Sequence, residues 1–171
     1  DLEKRIEDEI FALMPHITES DMPYLGCCYG IGILAHHLEG DVSKARYGEE
    51  VGAVECAVTD AGSNDPLLAG LPDTFMAFVG HKEAVQQLPN GCTHLLASAP
   101  CPLQMIRYKD NVYATQFHPE ADGAVFEARI NIYKNRGYFP PDSAQQLIDR
   151  CHQQDVRFPG QILKNFVDRY R

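Results

Sequence analysis

Five residues, Gly26-Cys27-Cys28-Tyr29-Gly30, constrain this chain more than any others. Before them, the short apolar run from Tyr24 to Cys27 reads as a buried strand. After them, Tyr29 to Leu38 repeats Ile31, Leu34 and Leu38 on one helical face, with Gly40 as a stop. G-x-C-x-G between strand and helix is the thiol form of a nucleophile elbow. Such a turn strains the backbone of its central residue, and glycines two positions away on either side leave it room. It exposes Sγ beside a helix N-terminus, where a thiol's pKa is expected to fall and backbone N–H groups await an oxyanion. The spacing makes Cys28 the nucleophile and puts Cys27 one residue back on the strand. Taken alone, the pattern equally fits two turn glycines and two core-filling cysteines. A dinucleotide fingerprint G-x-G-x-x-G and the G-K-[ST] of a P-loop are both absent from this segment.

A thiol needs a base, and the chain has seven histidines. His118 closes the run Val112–Phe117 and is followed by Pro119 and Glu120. Proline ends a strand's hydrogen-bond ladder, as suits a strand end opening onto a site. Residues two apart there face the same way, so Glu120 can hold one ring nitrogen while the other meets the thiol. That is the nucleophile, base and orienter of a triad. Alone, such a histidine is more often structural; beside the elbow the balance reverses and it reads as the base.

The remaining pattern predicts a helix over about 4–17, with Ile6, Ile10, Leu13, Met14 and Ile17 inward. Strands are expected around Val54–Val58, Thr74–Val79 and His94–Ser98, and a hairpin joins Leu103–Tyr108 to Val112–Phe117. Three helices, about 121–135, 142–153 and 160–170, close the chain, the last with Phe166 and Tyr170 inward. This order implies an α/β fold around a central sheet, read as one domain over 1–171 with a helical portion at 121–171. Lys and Arg total 15 against 24 Asp and Glu, a net charge of −9 that disfavours a nucleic-acid partner. No apolar run is long enough for a membrane span. The six cysteines lack C-x-x-C spacing, which argues against a zinc site or disulfide framework and suits a reducing cytoplasm. His36-His37 has no ligand one turn on, so no metal site is expected there; His94, Cys92 and Cys101 read as structural.

The segments Gly26-Cys27-Cys28-Tyr29-Gly30 and Gln116-Phe117-His118-Pro119-Glu120 resemble the class I (triad-type) glutamine amidotransferases, most closely members similar to the glutaminase domain of GMP synthase. Gly48-Glu49-Glu50-Val51-Gly52 is similar to the family's strand entry, and Gly80-His81-Lys82-Glu83-Ala84-Val85 with Leu88-Pro89 to its H-G-D-x-V…L-P segment. The resemblance implies a three-layer, flavodoxin-like fold, its central sheet mixed or mostly parallel, with helices on both faces. It also implies that Cys28, His118 and Glu120 release ammonia from glutamine through a γ-glutamyl thioester. The Tyr29 N–H would serve as an oxyanion donor, and no metal or organic cofactor is required. Gly32, His81, Glu83 and Gln104 would border the substrate. The family's usual Gln four residues after the nucleophile is Gly32 here, and His81-Lys82-Glu83 replaces His-Gly-Asp. A Gly-Gly-Pro loop bearing the second oxyanion donor would fall before Asp1, so an N-terminally incomplete domain is expected. The expected partners are glutamine or a γ-glutamyl small molecule and a separate synthase subunit taking the ammonia. Hydrolysis of another γ-glutamyl compound is the first alternative, since Gly32 enlarges the amide end of the pocket. A non-catalytic binding relative on the same fold is the second.

Overall fold

The computed structural model describes residues 2–171. Helix α1 (Leu2–Glu19) leads to strand β1 (Tyr24–Cys27), and α2 (Tyr29–His37) follows one residue later. Then come β2 (Val42–Ser43), β3 (Gly52–Val58), two 3-10 turns at Gly62–Asn64 and Pro66–Leu68, β4 (Thr74–Val79) and β5 (Ala84–Val85). Strands β6 (Cys92–Ala97), β7 (Met105–Tyr108) and β8 (Val112–Thr115) precede helices α3 (Gly123–Tyr133), α4 (Ala144–His152) and α5 (Gly160–Tyr170). The 3-10 turns and the small β2–β5 ladder leave no signal in the sequence, because each is too short to show a period.

The main sheet runs β1-β8-β7-β6-β3-β4. It is mixed, as the resemblance implied, but antiparallel pairs outweigh parallel ones. Among the described strands only β1 and β8 run parallel, and every other neighbouring pair is antiparallel. The reason is connection length. The short links from β6 to β7 and from β7 to β8 can only reverse the chain, whereas the β1–β8 pair is closed by everything between them.

Side chains alternate across the sheet. On one face, Val112, Ala114 and Ile106 pack under α1 and α2 with Met14, Ile31 and Leu34. Further along that face, Ala53 and Phe78 pack against Phe126, Ile130 and Leu147 of α3 and α4. Tyr113, Met105 and Phe75 point the other way and meet Ile162 of α5. In α1 the buried stripe is Ile10, Phe11, Met14 and Ile17. Ile6 and Leu13, expected inward, are 49% and 56% exposed, because the stripe facing α2 is turned toward Phe11. No helix among the described residues is long and apolar enough to cross a membrane.

Two helix pairs on one face leave a gap between them, over the carboxyl ends of β1 and β8. The parallel register sets Cys27 opposite Thr115, so the residues after each strand emerge side by side. Phe78 lies buried beneath Phe126, one of the residues that line this gap. Its ring stacks on Phe126 of α3, centroids 4.4 Å apart and planes within 10°. Truncating this buried ring, Phe78→Ala, is expected to cost about 3–5 kcal/mol, read as a fall in the urea midpoint. An unchanged midpoint would mean that α3 is not seated through this residue.

Candidate active site

Cys28 sits between β1 and α2 with φ 52° and ψ −89°, a left-handed conformation unusual for a residue with a side chain. Its N–H donates to the Thr115 carbonyl at 2.7 Å, which fixes the turn to β8. The flanking glycines have a steric reason. A Cβ at Gly26 would lie 2.5 Å from Tyr24 Oη and 2.9 Å from Gly30 Cα; one at Gly30 would lie 3.2 Å from the same hydroxyl. The Tyr24 ring folds over the elbow and closes the space any side chain would need.

The thiol departs from expectation. Burial pushes Cys28 up to about 11, although the Arg129 charge and a hydrogen bond from the Tyr29 backbone pull it down; Glu120 and Cys27 add to the rise. Desolvation disfavours the thiolate more than the helix terminus favours it. Burial raises Cys27 as well, partly offset by a hydrogen bond with the Thr115 side chain.

His118 is buried, and its N–H donates to the Phe78 carbonyl at 2.8 Å. Its Nδ1 lies 2.8 Å from Glu120 Oε1. A carboxylate accepts, so Nδ1 carries the proton, and in the neutral ring Nε2 is the basic nitrogen. Nε2 has no hydrogen-bond partner among the described residues. Glu120 Oε1 also accepts from Arg129 Nη2 at 2.9 Å. Burial pushes the Glu120 carboxyl up, but the His118 hydrogen bond and the His118 and Arg129 charges outweigh it and leave the group below its ordinary value.

Cys28, Tyr29, Gly32, His81, Glu83, His118 and Glu120 all border one cavity of about 920 Å³. Gln104 does not, which corrects its expected place beside the substrate. It is fully buried, and its Nε2 donates to Glu49 Oε1 at 2.6 Å and to Ser98 Oγ at 3.0 Å. The same Glu49 oxygen lies 2.8 Å from His81 Nε2, and His81 Nδ1 faces the Glu83 carbonyl at 2.9 Å. Gln104 is drawn to a buried carboxylate behind the cavity wall and is linked to cavity-lining residues through Glu49 to His81 and through its own carbonyl, which accepts from the Gln116 N–H at 2.8 Å.

Glu49, His81 and Cys101 bring possible metal-ligand atoms within 4.8 Å of one another. The Glu49 oxygens already accept from His81, Gln104 and Ser98, so donors within the protein answer that charge. The adjacent histidines on α2 serve packing: His37 pairs with Thr18 Oγ1 at 2.9 Å, and His36 stands edge-on to Phe11. Three residues of the site escape a reading of the sequence. Glu49 looks no different from its exposed neighbour Glu50, Arg129 is one charge on a helical face, and Gln116 reads as strand. Gln116 lines the cavity, yet its buried Oε1 has no partner among the described residues.

Residues 4–133 match the family model described as glutamine amidotransferase class-I. A protein named GMP synthase (glutamine-hydrolyzing) from Thermosipho africanus is 37% identical over 116 residues, which cover 67% of this chain and 22% of that protein. A protein from Thermococcus kodakarensis, named as one subunit of a glutamine-hydrolyzing GMP synthase, is 33% identical over 125 residues, 72% of this chain and 63% of that one. The chain thus spans about a fifth of the former relative and under two thirds of the latter. Among solved structures, a glutamine amidotransferase from Thermotoga maritima aligns with TM-score 0.78 at 23% identity, covering 95% of this chain and 68% of that one. One from Methylobacillus flagellatus aligns with TM-score 0.74 at 20% identity, covering 94% and 68%. These two share the fold.

The raised thiol sets a pH dependence. With Cys28 at about 11, its alkylation by iodoacetamide should climb about tenfold per pH unit from pH 7 toward that value, since only the thiolate reacts. A plateau reached below pH 7 would instead mean a thiolate already paired with His118 in the resting protein.

Proposed function

We propose, on the premise that the chain belongs to the class I glutamine amidotransferase family, that it hydrolyses a γ-glutamyl amide, glutamine first among candidates, and releases ammonia. One observation carries this reading: Cys28 follows β1, His118 and Glu120 follow its parallel neighbour β8, and all three border the same cavity. Because the resting thiol is protonated, attack requires a base at the moment of reaction. His118 Nε2 takes the Cys28 proton as Sγ adds to the amide carbon, and the carbonyl oxygen becomes an oxyanion facing the Tyr29 N–H. The C–N bond breaks as His118 returns the proton to nitrogen, and ammonia leaves a thioester. His118 next removes a proton from water, whose oxygen attacks the thioester carbon. The C–S bond breaks, the thiol is restored, and the γ-carboxyl product departs. Glu120 keeps the ring in the required tautomer and stabilises the imidazolium that forms twice.

One relative is named as a subunit of a glutamine-hydrolyzing synthase, which supports a separate synthase polypeptide as receiver of the ammonia. Six free cysteines suit work in a reducing cytoplasm. A specific observation favours a second reading, hydrolysis of an N-substituted γ-glutamyl compound. A Cβ at Gly32 would meet nothing nearer than Val42 Cγ1 at 3.8 Å, so the cavity runs on past the thiol where a longer side chain would block it.

Covalent labelling tests the assignment. A glutamine analogue bearing an electrophilic ketone should modify the wild type once, at Cys28, and leave Cys28→Ser unmodified. Ammonia release from glutamine should fall by about three orders of magnitude or more in Cys28→Ser and His118→Ala. Labelling that moves to Cys27, or fails in a protein whose Cys28 still reacts with iodoacetamide, would refute the triad and leave the non-catalytic relative standing. Faster turnover of γ-glutamyl amines than of glutamine would select the second reading.

A further inference from the structure

Arg129 lies on α3 and borders the cavity that holds Cys28 and His118. Only its Nη2 is engaged, with Glu120 Oε1 at 2.9 Å; its Nη1 and Nε have no protein partner among the described residues. Its side chain is 39% exposed, so these donors are free to meet a solute. The other cations on the cavity wall are less suited. Lys82 Nζ donates to the Arg136 carbonyl at 2.7 Å and lies over the Tyr138 ring. Lys44 is exposed and follows the short strand β2, with no contact to Glu120 or to the elbow. The Arg129 charge also acts on both Cys27 and Cys28, which places it within reach of the reacting centre.

In a γ-glutamyl compound, four carbon–carbon bonds of about 1.5 Å separate the attacked carbon from the α-carboxylate carbon, roughly 5 Å when extended. A planar guanidinium with two idle donors is the side chain best shaped to take a carboxylate. We propose that Arg129 is the anchor for the substrate's α-carboxylate, so that the site accepts only γ-glutamyl compounds whose α-carboxyl group is free. This rests on the reading that Cys28 attacks a γ-glutamyl amide. Arg129 then has two duties on one side chain: Nη2 steadies Glu120, and the rest of the guanidinium holds the far end of the substrate.

Two alkylating probes separate these duties. 6-Diazo-5-oxo-L-norleucine carries the α-amino acid end, and iodoacetamide lacks it. Modification of Cys28 would be followed by intact mass in the wild type and in Arg129→Gln, Arg129→Lys and Lys44→Gln. In Arg129→Gln the ratio of the diazo-ketone rate to the iodoacetamide rate should fall by about tenfold or more, through weaker saturation rather than a slower bound step. Arg129→Lys should recover part of the loss, and Lys44→Gln should match the wild type. An equal fall with both probes in Arg129→Gln would overturn the anchor, because it would mean that Arg129 acts on Glu120 and the thiol alone. So would an unchanged ratio, or a loss appearing in Lys44→Gln instead. Arg129→Lys guards against misfolding of the neutral variant, as does the iodoacetamide rate itself. A wild type that reacts with iodoacetamide at Cys28 and never with the diazo-ketone defeats the underlying γ-glutamyl reading, and the anchor with it.

Discussion

The hydrogen bond from the Cys28 N–H to the Thr115 carbonyl extends the β1–β8 ladder one step past its last paired residues. The rest of the site depends on that step. A parallel pair puts the carboxyl ends of both strands at the same edge, so two segments roughly ninety positions apart in the chain emerge together. The bond also holds Cys28 in its left-handed conformation, which an unsupported residue would leave at a gain of about 1–3 kcal/mol. Strain at Cys28 is thus maintained by the neighbouring strand and by the Tyr24 ring closed over the two glycines.

Electrostatically the site is organised around a neutral thiol. Burial keeps Cys28 protonated, so the resting protein does not present a reactive thiolate to every passing electrophile. In the proposed reaction the thiolate forms only when a proton can move to a correctly aimed imidazole. Glu120, held below the usual carboxylate range, stays charged and keeps that ring aligned. Its one oxygen accepts from both His118 and Arg129, so ring orientation and the placement of the guanidinium are set at a single atom.

The strained turn at Cys28 and the His118–Glu120 contact are legible in the sequence because each leaves a local signature: glycines at fixed offsets, a proline after a histidine, an acid two positions on. The strands around them are legible too, Tyr24–Cys27 and Thr74–Val79 at their observed ends. Other features depend on distance through space. Gln104 is drawn to Glu49 across 55 positions, and nothing near either residue announces that pairing. The direction of the thiol shift runs against the local pattern for the same reason. A helix terminus is visible in a short stretch of sequence, whereas the depth of burial also depends on the cavity wall that α3 supplies from about a hundred positions away along the chain. The antiparallel weight of the sheet follows from short links whose lengths are readable, but strand order is not.

Phe78 joins two things that need not have been connected. Its carbonyl secures the backbone of His118, and its ring seats Phe126, on the helix that carries Arg129. The imidazole and the guanidinium are therefore mounted on opposite ends of one residue. Any sequence drift that tilts α3 displaces both groups relative to the elbow, which is mounted elsewhere, on β1. In the proposed reaction, base alignment and the contacts a guanidinium offers to a ligand are thus coupled through one residue, so a change in how α3 is seated reaches both.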